Sequence, residues 1–146
     1  MALANVRRAC MAMLARREHT RKELFDKLLR KEFDKNDIDK TLDEFAQKDL
    51  QSDARFCDAF IRMRLRQGVG PVRIEREFDK RGVAVELARH YLDEYAAAFS
   101  KAVFAVWQKK YATWPKDFKE KMKQMRFLQS RGFTTDHIQS VFKPSD

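Results

Sequence analysis

Basic side chains recur at helical spacing in the middle of this 146-residue chain. Spacings of three, four and seven positions place them on one face of each of two consecutive helices, in the sets Arg55, Arg62, Arg66 and Arg73, Arg76, Lys80. A guanidinium presents a planar fork of donors that matches the oxygen atoms of carboxylates and phosphates. The two stripes predict a surface for an anionic partner, although carboxylates such as Glu77 at i,i+4 spacing also fit a solvated helix surface.

The segment "GVGP", residues 68–71, joins the two stripes. Glycine adopts left-handed backbone conformations at little cost, and Pro71 suits the first position of a helix. The segment therefore predicts a tight turn that folds the two basic helices against each other. It does not predict a phosphate-binding loop, because no lysine follows it and no strand precedes it.

The charge balance also favours a polyanionic partner. Lys and Arg number 31 against 22 Asp and Glu, a formal net charge of +9. From residue 101 onward, ten basic residues face only four acidic ones. Lysines near an aromatic ring that is free to stack predict a further basic surface for nucleic acid, made of Lys109, Lys110, Lys116, Lys119, Lys123 and Trp114. We expect Trp107, one turn from Val103 and Tyr111, to belong to the core instead.

The residue types that carry catalysis do not form a recognisable constellation. His19, His90 and His137 are far apart and lack metal-ligand spacing, so each is predicted to be a surface or capping histidine. Cys10 and Cys57 lie among apolar neighbours and predict buried thiols of a reducing compartment. The sequence therefore predicts a binding protein and not an enzyme, with no catalytic residue, metal or cofactor. Because no apolar run approaches membrane-spanning length, we expect a cytoplasmic chain.

An internal repeat organises the chain. At an offset of fifty residues the apolar positions agree in three sets, which are Leu28, Phe78, Leu128, then Phe33, Val83, Phe133, then Leu42, Leu92, Phe142. Gly82 and Gly132 agree as well, each where a helix should end. Each repeat is predicted to contain three short helices with apolar residues at helical period, and no convincing strand occurs. The sequence predicts an all-α fold of tandem three-helix repeats, residues 1–50, 51–98 and 99–146, that form an elongated, curved molecule.

Two helix boundaries are predicted from local signals. In "TRKE", Thr20 and Glu23 have the spacing of a capping box, which predicts the start of the second helix. The third helix of the second repeat is predicted to end at Ala97, and the first helix of the third repeat is predicted to begin at Lys101.

Two segments carry a resemblance to a known family. The first is "LARREHTRKEL" and the second runs from "DARFCDAFIRMR" into "GVGPVRI". Together they resemble the RecX regulatory proteins of bacteria. The matching residues are Leu14, Arg16, Arg17, Thr20, Glu23 and Leu24, then Asp53, Arg55, Phe56, Phe60, Ile61 and Arg64, then Gly68, Gly70, Pro71 and Ile74. Asp49 departs from the pattern, because glycine is common at its position, and Gln51 stands where an aliphatic residue is usual.

The resemblance implies a role and a set of contact residues. RecX-like proteins bind the RecA recombinase and its filament on single-stranded DNA, and they lower its ATP hydrolysis, strand exchange and co-protease activity. They act by occupying the filament groove or by blocking filament extension. The residues assigned to the partner-binding surface are Arg16, Arg17, Arg21, Lys22, Arg55, Arg62, Arg64, Arg66, Arg73, Arg76 and Lys80. We expect a monomer that also has weak direct contact with DNA.

Two alternatives to this role remain open at the level of sequence. The first is a general basic DNA-binding helical module that acts without a recombinase, for which "VRIEREFDKR" would be the groove-binding helix. Few Asn, Gln or Ser residues are available there to read base edges. The second is an adaptor that recognises an acidic protein through paired aromatic and arginine side chains.

Overall fold

The computed structural model describes residues 2–143, and within that range all regular secondary structure is helical. The nine helices of this range are α1 (Ala2–Arg16), α2 (Arg21–Arg30), α3 (Lys35–Gln47), α4 (Asp53–Arg66), α5 (Pro71–Lys80), α6 (Val85–Glu94), α7 (Ala96–Lys110), α8 (Phe118–Ser130) and α9 (Thr135–Phe142). The predicted all-α class is therefore confirmed.

Capping boxes fix the starts of α2 and α9. Thr20 Oγ1 accepts a hydrogen bond from the Glu23 N–H at 3.1 Å, and the Thr20 N–H donates to Glu23 Oε1 at 3.0 Å. Thr134 and His137 form the same reciprocal pair at α9. Each box satisfies two backbone donors that would otherwise lack a partner at a helix N-terminus. The predicted box at Thr20 is confirmed.

The ends of α2, α5 and α8 share one hydrogen-bonding pattern. In each, a backbone N–H beyond the helix donates to the carbonyl five residues earlier, in the pairs Phe33 to Leu28 (3.4 Å), Val83 to Phe78 (3.0 Å) and Phe133 to Leu128 (3.3 Å). This bond is the long bond of a Schellman motif, which is usually accompanied by an apolar contact between the same two residues. The apolar pairs that repeat at an offset of fifty are therefore the residues that close these three helix ends.

The boundary between α6 and α7 differs from the prediction. α6 ends at Glu94 and α7 begins at Ala96, so only Tyr95 separates them. The backbone of Tyr95 leaves helical geometry, with φ −96° and ψ 11°, but the Phe99 N–H still donates to its carbonyl at 3.0 Å. The alanines from 96 to 98 favour helix strongly, which explains why the new helix starts five residues before Lys101.

The chain forms two compact units, Met1–Ala59 with Phe78–Leu87 and Phe60–Glu77 with Ala88–Asp146. The first unit contains a buried cluster of Val6, Cys10, Leu24, Leu28, Ile38, Leu42 and Phe45. The second contains a buried cluster of Val103, Trp107, Leu128, Phe133, Ile138 and Val141. The boundaries of the three predicted repeats stay a prediction.

Candidate functional site

Arg64, in the second unit, is held by contacts inside the protein. Its Nε and second guanidinium nitrogen donate to the two carboxylate oxygens of Glu77 at 2.8 and 2.9 Å. Its remaining nitrogen donates to Gln67 Oε1 at 2.8 Å. Because Arg64 lies on α4 and Glu77 on α5, this bidentate pair ties the two basic helices together. Arg64 therefore has a structural role beside the predicted binding surface, because each of its three guanidinium nitrogens already has a hydrogen-bond partner within the protein.

Arg55, in the first unit, is also paired. Its Nε donates to Glu18 Oε1 at 2.7 Å, and a second nitrogen lies 3.2 Å from Asp49. The hydrogen bond to Glu18 raises the pKa of Arg55 above its ordinary value. Neither Glu18 nor Asp49 stands at the i,i+3 or i,i+4 spacing from which a pair with Arg55 could have been predicted.

Four of the predicted arginines of the second unit are exposed to solvent. Arg66 and Arg76 are exposed and form no ion pair with any residue between 2 and 143. Arg73, whose side chain is 48% exposed, approaches Glu77 only at 3.7 Å. Arg62 is exposed as well, but its Nε donates to Tyr95 Oη at 2.9 Å. The candidate binding residues of this unit are thus Arg66, Arg73 and Arg76.

Arg73 and Arg76 line a recess of about 600 Å³ in the second unit, together with Arg126. The apolar part of its lining consists of Val72, Met122, Met125, Phe133 and Ile138. A cationic margin over an apolar floor suits an acidic segment that also carries an apolar side chain.

A second recess of about 440 Å³ in the same unit surrounds the ring of Phe127. Lys110 Nζ lies 5.4 Å from the ring centroid and Arg131 Cζ lies 5.5 Å from it, which is cation–π distance. Arg66 and Lys109 also line this recess. Phe127 was not among the predicted site residues, although Arg131 follows it at i,i+4 spacing, which was a signal that a cation would lie near its ring.

Most of the predicted contact residues of the first unit are paired with carboxylates. Side-chain pairs join Arg17 to Glu23 (2.9 Å), Arg21 to Asp43 (2.7 Å) and Lys22 to Asp26 (3.0 Å). Arg16 and Lys80 are exposed and form no ion pair with a described residue. An exposed ion pair contributes little to stability, so these pairs do not prevent binding, but they lower the net charge that a partner meets.

The two tryptophans have the burial that the sequence predicted. Trp107 is 4% exposed, and its Nε1 donates to Gln124 Oε1 at 2.8 Å, whereas Trp114 is 54% exposed. The predicted lysines of this region are exposed, namely Lys109, Lys110, Lys116, Lys119 and Lys123. Phe118, which is 74% exposed, was missed. Asp117 caps α8, so the next residue occupies the first helical position, where packing against the core is not required.

The histidines and cysteines divide between confirmed and corrected predictions. His137 caps α9 as predicted, but His19 is only 2% exposed, so its prediction as a surface or capping histidine is wrong. It immediately precedes the N-cap Thr20, a position whose side chain often packs inward against the helix. Burial raises the pKa of the Cys10 thiol to about 11 and that of the Cys57 thiol to about 12. Neither thiol therefore has the character of a nucleophile.

The described residues contain neither a metal-binding cluster nor a membrane-spanning helix. Between residues 2 and 143, no group of His, Cys, Asp or Glu side chains is arranged to hold a metal ion. Among the described helices, none is long and apolar enough to cross a membrane.

The fold and these surfaces define an all-helical protein of repeated three-helix units that presents exposed cations. Models of the first, second and third three-helix domains of RecX match residues 7–45, 52–92 and 101–142. The chain belongs to the RecX family of regulatory proteins.

Relatives agree with this assignment, and a solved structure has a similar fold. The chain is 37% identical to the regulatory protein RecX of Halorhodospira halophila over 142 residues, covering 97% of this chain and 88% of the relative. It is 39% identical to that of Ectopseudomonas mendocina, covering 97% and 95%. The crystal structure of RecX from Lactobacillus salivarius has a similar fold, with a TM-score of 0.83 and 20% identity over 97% of this chain and 94% of that one.

Proposed function

We propose that this chain binds the RecA recombinase and its filament on single-stranded DNA, and that binding lowers ATP hydrolysis, strand exchange and co-protease activity. Exposed Arg66, Arg73 and Arg76 on the second unit are the observation that carries this proposal. Their guanidinium donors are available to carboxylates or phosphates on a partner, unlike those of Arg64, which Glu77 holds.

The arrangement favours a binding role that adds several modest contacts. Exposed charges speed association and depend on ionic strength, while an apolar floor beside them supplies burial that salt does not weaken. The recess beside Arg73 and Arg76 offers both kinds of contact within one unit. A partner with repeated copies of one site, such as a filament, would strengthen such contacts through avidity. Groove occupation and blocked filament extension are both compatible with this mode of binding.

Single-stranded-DNA-dependent ATP hydrolysis by the RecA of the same organism tests the proposal. The unaltered protein should suppress hydrolysis when present well below one molecule per RecA. The double variant Arg66→Glu, Arg76→Glu should need roughly tenfold more protein or beyond for the same suppression, because each reversal replaces an attraction worth about 1 kcal/mol or more with a repulsion. Its helicity by circular dichroism should be unchanged, since both side chains are exposed.

Arg89→Glu, Lys101→Glu is the matched control. Both residues are exposed cations of the same unit without an ion-pair partner in the described chain, and the charge change is the same. The control should inhibit like the unaltered protein. Equal inhibition by the two double variants would contradict the assignment of Arg66 and Arg76, and absence of any suppression would contradict the proposed function itself.

Direct DNA binding without a recombinase is the second candidate function. Exposed Trp114 and the surrounding lysines favour it, because an accessible ring beside cations suits base stacking and phosphate attraction. In that case suppression of hydrolysis would appear only at protein concentrations that saturate the DNA. Fluorescence anisotropy of a labelled single strand, measured without RecA and as a function of salt, separates the two functions.

A further inference from the structure

The first unit contains an open recess of about 630 Å³, and five of its seven lining residues are Lys or Arg. The lining residues are Met13, Arg16, Arg17, His19, Lys27, Arg30 and Lys31. No carboxylate lines it, and its volume lies within the range of about 300–1,000 Å³ that is typical of small-ligand sites. Arg16, Arg30 and Lys31 are exposed at its margin, whereas His19 is buried.

The lining of the recess includes a contact between the buried His19 and the half-buried Lys27. His19 Nδ1 lies 3.0 Å from the Arg17 carbonyl oxygen, which can only accept, so Nδ1 carries the proton. Nε2 is then the acceptor for Lys27 Nζ at 3.1 Å. Burial lowers the pKa of His19, and the charges of Arg17 and Lys27 lower it further. The ammonium of Lys27 is thus fixed by an uncharged ring and has no carboxylate partner.

One carboxylate outside the recess acts on two of its cations. Glu23 pairs with Arg17 at 2.9 Å and acts electrostatically on Lys27, but it is also shared by Arg81 at 3.6 Å. Arg16, Lys27, Arg30 and Lys31 form no ion pair with a residue between 2 and 143. Burial lowers the pKa of Lys27, and the neighbouring Arg17 lowers it further. The recess therefore concentrates positive potential, which an anion would relieve.

The internal repeat shows that this charge is specific to the first repeat. The residue fifty positions after Lys27 is Glu77, the carboxylate that holds Arg64 in the second unit, and the next equivalent is Phe127. The first repeat thus has a lysine where the second has the acid that neutralises its neighbours. A requirement of the shared fold does not explain the lysine, since three different side chains occupy this position.

We propose that this recess binds a phosphoryl dianion, carried either by a free oligophosphate or nucleotide or by the terminal phosphate of a nucleic acid strand. A terminal phosphoryl group presents three acceptor oxygens and up to two negative charges, which match several converging N–H donors better than a single carboxylate does. Arg16, Arg30 and Lys31 supply mobile donors at the margin, and Lys27 supplies one held in place by His19. The proposed contact with RecA is not required for this site.

Two variants with equal charge change test the proposal. Arg30→Gln, Lys31→Gln removes two cations from the recess, and Arg8→Gln, Lys40→Gln removes two exposed cations of the same unit that do not line it. Sodium tripolyphosphate is titrated calorimetrically at constant ionic strength. In parallel, oligothymidylates with a 5′-phosphate or a 5′-hydroxyl are compared. The side-chain nitrogen resonances of His19 are followed by NMR throughout.

We expect one tripolyphosphate, or the 5′-phosphate form in preference to the 5′-hydroxyl form, to bind and to shift the His19 resonances. Arg30→Gln, Lys31→Gln should weaken this binding about tenfold or more, because charge-assisted hydrogen bonds are lost, while the control changes it less than about twofold. Binding of tripolyphosphate identifies a free phosphate ligand, and preference for the phosphorylated strand identifies a strand end. Equal weakening in both variants, or no binding of either probe, would overturn the proposal. None of these measurements contains RecA, so their failure leaves the proposed function untouched.

Discussion

The turns that end α2, α5 and α8 have the same backbone hydrogen bonds but differ in the residue just before the N–H donor. This residue is Glu32 in the turn after α2, whereas it is Gly82 after α5 and Gly132 after α8. In all three equivalent turns this residue has a left-handed backbone, with φ 68° at Glu32, 79° at Gly82 and 95° at Gly132. The left-handed region is unfavourable for side chains with a Cβ, yet Glu32 occupies it. The conformation alone therefore does not explain why the second and third turns contain glycine.

Packing on the turn explains the difference. The Gly70 N–H donates to the Arg131 carbonyl at 2.7 Å, and the Val72 N–H donates to the Gly132 carbonyl at 2.9 Å. The end of α8 thus supplies acceptors to unpaired donors at the start of α5, an arrangement that also aligns opposite ends of two helix dipoles. A Cβ on Gly132 would lie 2.5 Å from Arg73 Cβ and 2.9 Å from its backbone nitrogen.

The Gly82 turn repeats this contact in the first unit. Thr20 Oγ1 donates to the Arg81 carbonyl at 2.7 Å, and a Cβ on Gly82 would lie 2.6 Å from Lys22 Cβ. By contrast, Glu32 is exposed, and its side chain has no hydrogen bond or ion pair with a described residue. Glycine is thus found where a second helix start packs against the turn, and it is absent from the turn that is open to solvent.

Gly132→Ala should have the largest effect on this comparison. An alanine in this left-handed conformation costs roughly 1–2 kcal/mol. Its methyl group would also overlap backbone and side-chain atoms of Arg73. We expect the free energy of unfolding from urea denaturation to fall by about 3 kcal/mol or more. A loss below about 1 kcal/mol would show that the packing is looser than these distances indicate.

Gly82→Ala should be less costly. Two of the three nearest atoms to the added methyl, Cγ and Cδ of Lys22, can move by rotation of the side chain, whereas Gly132 meets backbone atoms of Arg73 and Gly70. We expect a loss of about 2 kcal/mol in the same measurement, mainly from the left-handed conformation and partial displacement of Lys22. A larger loss than for Gly132→Ala would reverse the proposed order of the two turns.

The repeat made the positions of these turns predictable from sequence. Gly82 and Gly132 stand in register, and the apolar residues on either side close the helices. Glu32 departs from that register, because its two equivalents are glycines. Asp49 departs instead from the family pattern, in which glycine is common, and it adopts φ 59°. Asp tolerates the left-handed region better than most residues do, so it fits this backbone conformation.

The partners of the basic side chains were less predictable. Periodicity places Arg55 and Arg64 on helix faces, but it does not show that Glu18 and Glu77, which are 37 and 13 positions away, will meet them. Such pairs depend on how helices pack. The prediction therefore identified a basic surface correctly in kind, while the choice of which arginines are available required the structure.

Thr20→Val sharpens the comparison through the caps of α2 and α9. Thr20 loses both the hydrogen bond from the Glu23 N–H and its own donation to Arg81, whereas Thr134→Val loses only the cap, at the His137 N–H. We expect losses of about 2 and about 1 kcal/mol, since a cap contributes about 1 kcal/mol and a further hydrogen bond about as much. Urea denaturation of the two variants, measured in parallel, provides the test. Equal losses would show that the contact with the Gly82 turn contributes nothing measurable.

Glu32→Gly should have the smallest effect and the opposite sign. Relief of the left-handed strain contributes roughly 1–2 kcal/mol, and the greater flexibility of glycine in the unfolded chain offsets about 0.5–1 kcal/mol of it. We therefore expect the free energy of unfolding to rise by about 0.5–1 kcal/mol. Glu32→Ala is the control, because it removes the carboxylate but keeps the Cβ, and it should leave stability nearly unchanged. If both variants gave the same gain, the carboxylate and not the backbone would be the source of the cost, since only the glycine variant relieves the φ of 68°.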